Sequence, residues 1–103
     1  MIAFSPDGTS LVVANEGEPS SYNQPESIDP EGTVSIIDVS RSKKADWRPR
    51  ARSVRFMAFN AGGSRAGGLP AGIRLNGPNA SVAQDFEPEY VSFHKKTAYV
   101  TLQ

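Results

Sequence analysis

Seven carboxylates in three short clusters carry the chemistry this chain offers: Glu16 and Glu18, Asp29 and Glu31, then Asp85, Glu87 and Glu89. Within each cluster the acids sit two residues apart. In locally extended backbone their side chains then leave on the same side. Asn15 and Gln84 add amide oxygens beside them. An oxygen-only donor set suits a hard cation such as Ca²⁺, which takes about six to eight oxygen ligands. No EF-hand pattern is present, so donor chemistry and topology carry this expectation, not a motif. The alternative role for the same acids is a solvated rim whose carboxylates cap turns and pair with arginines.

Other chemistries have less support. With one histidine and no cysteine, a zinc site or a Ser-His-Asp hydrolase within this chain is disfavoured. His94 falls in a turn, away from the acids. The glycines of residues 61–68 lack the Gly-Lys-Ser/Thr ending of a phosphate loop and read as linker. The one aromatic of the basic stretch 41–55, Trp47, does not interleave with the basic residues as a base-stacking platform would need, so no nucleic-acid partner is expected. Asp38 reads as a cap for the turn that follows it. Asn79-Ala80-Ser81 is a glycosylation sequon in a secreted eukaryotic setting.

The elements that must position the acids come from a repeat. Residues 1–16 return in altered form as residues 90–103, each strand–turn–strand, with Phe4 matching Phe93, Val13 matching Val100 and Glu16 matching Gln103. A hairpin recurring along one chain indicates radial repetition, and a β-propeller is the usual result. Strands are predicted over 1–5 and 10–15, joined by the Ser5-Pro6-Asp7-Gly8 turn. A third is predicted over 32–39, rich in β-branched residues, and an outer one over 54–59. A loop (16–31), a basic loop (40–53) and a Gly- and Pro-rich insertion (60–89), with helical turns near 65–75 and 80–86, connect them. The expected fold is all-β, a fragment of a β-propeller: a blade over 1–59, the insertion 60–89, and the first hairpin of the next blade over 90–103. Because the second copy stops after two strands, further blades are expected outside this sequence.

Antiparallel strands put successive connections at alternating ends of a sheet. The loop 16–31 and the insertion 60–89 therefore share one end, and the turns and loop 40–53 share the other. Eight of the eleven acids fall at the first end, and most of the basic residues fall at the second. A net charge of +0 thus conceals a two-ended molecule. Leu, Ile, Val and Phe make up only 22 of 103 residues, so the core is small and the isolated chain is expected to be a poor monomer. No apolar run is long enough to span a bilayer.

Residues 4–8 and 98–101 are similar to the YVTN-type propeller repeat. Three longer segments (13–20, 29–38 and 77–90) resemble the choice-of-anchor I domain, a propeller family that includes the mesenchyme-specific cell surface glycoproteins of biomineralising animals and many bacterial secreted proteins. The resemblance implies an extracellular or cell-surface location and a link to calcium mineral. The expected function is a non-enzymatic module that binds calcium, or a protein or mineral partner, through Glu16, Glu18, Asp29, Glu31, Asp85, Glu87 and Glu89. The alternatives are a calcium-dependent, alkaline-phosphatase-like phosphoesterase of propeller type and an inactive truncated product.

Overall fold

The computed structural model describes every residue except Asn23, Asn76 and Pro78. Those three fall in the loop 16–31 and the segment 60–89. The chain is all-β in character, built from two antiparallel sheets. The first holds β1 (Ile2–Phe4), β2 (Ser10–Asn15), β3 (Thr33–Asp38) and β4 (Arg50–Arg55) in sequential order. The second pairs β5 (Pro88–His94) with β6 (Thr97–Leu102). A 3₁₀ turn (Met57–Phe59) and a one-turn helix α1 (Val82–Asp85) lie between the sheets in sequence.

Local chemistry sets the first hairpin. The Asp7 carboxylate accepts from the Ser5 hydroxyl at 2.7 Å, from the Thr9 hydroxyl at 2.8 Å and from the Thr9 N–H at 3.1 Å. These bonds favour the ionised form and hold the Asp7 pKa down at about 2. Gly8 supplies the positive φ of +68° that the turn needs. Asp38 repeats the device after β3, accepting from the Ser40 hydroxyl and N–H, which lowers its pKa. Its predicted capping role is what the structure shows.

The repeat is visible in the pairing itself. Ile2 faces Val13 and Phe4 faces Leu11 in the first hairpin. At the matching positions of the second, Val91 faces Val100 and Phe93 faces Ala98. The second hairpin lies over β1 and β2 of the first sheet. Val12, Ala14, Val34 and Val91 are buried between the two, with Ala3, Ile36, Phe56, Phe93 and Val100 packed around them. Two stacked antiparallel sheets are consistent with a propeller fragment. A radius of gyration of 15.9 Å exceeds the roughly 13 Å of a compact domain of this length, as a thin stack with little core would.

The outer strand corrects the sequence. The segment 54–59 was predicted to be this strand, yet β4 spans Arg50–Arg55 and pairs residue for residue with β3, from Asp38↔Arg50 to Thr33↔Arg55. An edge strand needs no apolar face, and arginines there discourage pairing with another chain. All six of its residues are exposed, so hydrophobicity pointed to the wrong window. Phe56 and Phe59 serve a second small cluster instead. Phe56 meets the Phe86 ring edge-on at 5.4 Å, Phe59 lies 6.5 Å from the same ring, and Arg65 covers Phe59 at 5.7 Å. The helical turn expected near 80–86 is α1. The segment 65–75 instead forms turns with one isolated bridge, Ala71 to Ile73.

Candidate functional site

A close-packed glycine, Gly32, lies at the centre of the acidic end. Gly32 is buried and its N–H donates to the Ala83 carbonyl of α1 at 3.0 Å. A Cβ built there would lie 1.9 Å from the Phe86 carbonyl oxygen, 2.5 Å from Pro88 Cδ and 2.9 Å from the Glu16 carbonyl oxygen. Only glycine lets the end of β2, the start of β3 and the helix meet so closely. Further bonds fasten the helix. Gln84 Nε2 donates to the Asp29 carbonyl at 2.7 Å, and the Ala83 N–H donates to Asn60 Oδ1 at 2.9 Å.

The helix is only one turn long, so its caps matter. Ser81 accepts from the Gln84 N–H through its hydroxyl, while Gln84 Oε1 accepts from the Ser81 N–H. This capping box satisfies two otherwise unpaired donors. The loop 16–31 closes on itself as well: Ser20 and Ile28 exchange two bonds, and the Ser27 hydroxyl donates to the Ser21 carbonyl. Loop and helix together bound an open groove of about 880 Å³ whose lining includes Tyr22, Ser27, Asp29, Gln84, Asp85 and Glu87.

Of the seven acids expected to share a site, the structure brings Asp29, Asp85 and Glu87 to this groove. Burial first, and then the Asp85 charge, push the Asp29 carboxyl above its ordinary value. Glu87 is raised by burial and then by the charges of Glu16, Asp29, Asp85 and Glu18. Tyr22 is raised by desolvation and then by Glu18, Glu87 and Glu16. Five of the seven acids therefore occupy one electrostatic neighbourhood. Asp29 Oδ1 is buried and has no hydrogen-bond partner among the described residues. Asp85, by contrast, accepts the Gly77 N–H at 2.6 Å.

The other expected donors go elsewhere. Glu89 lies within β5 and bonds the side chain of its neighbour Tyr90. Glu31 is half-buried next to Gly32. Asn15 Nδ2 spans to the Thr33 and Ser35 hydroxyls at 3.1 and 2.9 Å, and both ends of the Gln84 amide are engaged. Among the described residues, no three of His, Cys, Asp or Glu stand together in a way that could hold a metal ion. Like charges repel one another, and the seven do not converge on one point. As placed, the groove supplies a partial donor set, with one unsatisfied oxygen.

The opposite charge distribution is as the topology required. Asn15, Thr33 and Arg55 share a register at the acidic end, while Ser10, Asp38 and Arg50 share one at the other. There the Val39 N–H reaches the Thr9 carbonyl at 2.9 Å, and Lys96 is near enough to Asp7 to lower its pKa. Arg41 and Asp46 form a loose, exposed ion pair at 3.9 Å, worth little in water. Tyr22 and Ser27 were absent from the sequence-derived donor set. The only signal for Tyr22 was its being the one aromatic residue in the loop 16–31.

The described residues thus form a two-sheet β chain with an acidic groove at one end and basic loops at the other. The choice-of-anchor I domain model matches residues 1–103, and the chain belongs to that family. The family's name points to anchoring at a cell surface. Neither the comparison with curated proteins nor that with solved structures returns a match. Among the described residues, no helix is long and apolar enough to cross a membrane.

Proposed function

We propose that this chain is part of a non-enzymatic, extracellular surface module that binds calcium, free or on a mineral face, at its acidic end. In this reading residues 1–59 are a propeller blade, 60–89 an insertion that carries half the site, and 90–103 the opening hairpin of a second blade. The observation that carries the proposal is Asp29 Oδ1, a buried carboxylate oxygen without a partner among the described residues, in a groove where burial and then neighbouring acids hold the Asp29 and Glu87 carboxyls above their ordinary pKa. A buried charge lacking a hydrogen bond is costly, and a divalent cation offsets both that cost and the mutual repulsion. Asp29 and Glu87 would provide the protein carboxylates, with water supplying the rest. Such a site belongs to the weak extracellular class, with Kd around ~10⁻⁴–10⁻³ M.

The test is thermal unfolding in calcium chloride against potassium chloride of equal ionic strength. At a calcium concentration ten times Kd the native state gains about 1.4 kcal/mol, several degrees in Tm. The Asp29→Asn, Glu87→Gln double variant should lose most of that shift. An equal shift in both proteins, or none in the parent, would refute the assignment.

A further inference from the structure

We propose that the loop between β3 and β4 forms a second binding site, a cationic cleft that takes a sulfated or carboxylated polysaccharide. Residues 41–50 carry Arg41, Lys43, Lys44, Arg48 and Arg50 against a single acid, Asp46. The loop folds as successive turns. The Lys44 N–H donates to the Arg41 carbonyl at 2.9 Å, and the Trp47 N–H donates to the Lys44 carbonyl at 3.0 Å. Arg48 Nη1 then donates to the Trp47 carbonyl at 3.0 Å. These turns bound a cleft of about 340 Å³, lined by Asp38, Arg41, Asp46, Trp47, Arg48 and Arg50.

The two carboxylates in the lining are already engaged. Asp38 accepts from the Ser40 N–H and hydroxyl at 2.9 and 2.6 Å, and Asp46 forms the 3.9 Å pair with Arg41. That is the one ion pair made by a loop cation among the described residues, and it is loose enough to exchange for a better anion. Guanidinium groups bind sulfate and carboxylate through paired N–H donors. Trp47, the one tryptophan of the chain, lies half-buried among them. Its indole offers a flat apolar face to the C–H side of a sugar ring. Lys43 and Lys44 carry the positive charge beyond the cleft, which fits anionic groups repeated along a chain better than one small anion. The loop has no second aromatic for successive bases to stack on, so an acidic sugar polymer fits better than nucleic acid.

The openness of this loop does not depend on where the sequence begins or ends. The second hairpin stacks on β1 and β2, and any further blade would stack on a sheet face in the same way. The loop instead joins two neighbouring strands within the first sheet and projects past their Asp38↔Arg50 end. Its extracellular setting rests on the surface reading above. The cleft shares no lining residue with the acidic groove, and its test involves no calcium.

Because Trp47 is the sole tryptophan, its fluorescence reads the cleft directly in the whole chain. Titration with heparin, without calcium and at about 0.15 M salt, should change the emission saturably. Arg41→Ser with Arg48→Ser should weaken binding about tenfold or more. Arg52→Ser with Arg55→Ser, on β4 outside the cleft, should change it less than about twofold. All four side chains are exposed, so far-UV circular dichroism of both variants should match that of the parent. Arg41→Gln with Arg48→Gln keeps longer side chains and repeats the test should the serines disturb the turns. Duplex DNA at equal charge concentration measures bare attraction to a polyanion and should bind at least about tenfold more weakly, because its stacked bases leave no ring for Trp47. No change in emission, equal weakening by the two double variants, or equal affinity for duplex DNA would each overturn the proposal.

Discussion

Replacing Gly32 with alanine should damage the protein more than any other single methyl added to a glycine turn. The new Cβ would meet the Phe86 carbonyl oxygen at 1.9 Å, Pro88 Cδ at 2.5 Å and the Glu16 carbonyl oxygen at 2.9 Å. Two of these are backbone atoms and the third is in a buried proline ring, so none can rotate away. Relief requires the loop to withdraw from α1, which breaks the 3.0 Å bond from the Gly32 N–H to Ala83. Overpacking costs about 1–3 kcal/mol, and a buried donor left unsatisfied costs about 1–3 kcal/mol more. A loss of about 2–6 kcal/mol, centred near 3–4, follows, against total stabilities of roughly 5–15 kcal/mol for domains of this size. Urea titration reads it directly, because a slope of about 1–3 kcal/mol/M turns that loss into a midpoint drop of about 1–3 M. Gly8→Ala is the control. Nothing lies within 4 Å of its Cβ position, and only the left-handed backbone penalty of about 1–2 kcal/mol applies. Equal midpoints for the two variants would refute the account of how the acidic end is assembled.

Acidification should stabilise the acidic end before it harms the rest. Asp29 and Glu87 have folded pKa values raised above their ordinary 3.8 and 4.5, so the folded state holds their protons more tightly than the unfolded state does. Their contribution is fully present below the ordinary values and is lost as pH rises through the raised ones. Chemical denaturation from neutral pH down toward 4.5 should therefore show rising stability, and Asp29→Asn with Glu87→Gln should flatten that slope; an unchanged slope would contradict the pairing of these acids. Ser81→Ala removes the hydroxyl that accepts from Gln84 and should cost about 1 kcal/mol in a urea titration. A neutral result would mean that the capping box does not hold α1 in place.

Much of the architecture was legible in the residues. The correspondence of Ile2, Phe4 and Val13 with Val91, Phe93 and Val100 lies in the order of residues alone, and the structure reproduces it as matching registers. The turns at Asp7 and Asp38 were equally legible, because an Asx side chain bonding two residues ahead is a short-range effect. The two-ended charge distribution followed from strand alternation, which needs no knowledge of packing. The position of β4 did not follow. An exposed edge strand leaves no hydrophobic period, and its limits are set by the six residues of β3 that need partners.

The site was legible only as a list of acids. Which of them gather depends on contacts far apart in sequence: the Gln84 amide on the Asp29 carbonyl, and the Gly32 N–H on Ala83. Nothing local in residues 29–32 announces those partners. The fate of the repeat was likewise decided by tertiary structure, since the same hairpin face is buried at Val91 and exposed at Ile2. Sequence determines what a strand offers on each face. Only the neighbouring sheet, through the apolar area it covers, decides which offer is taken up.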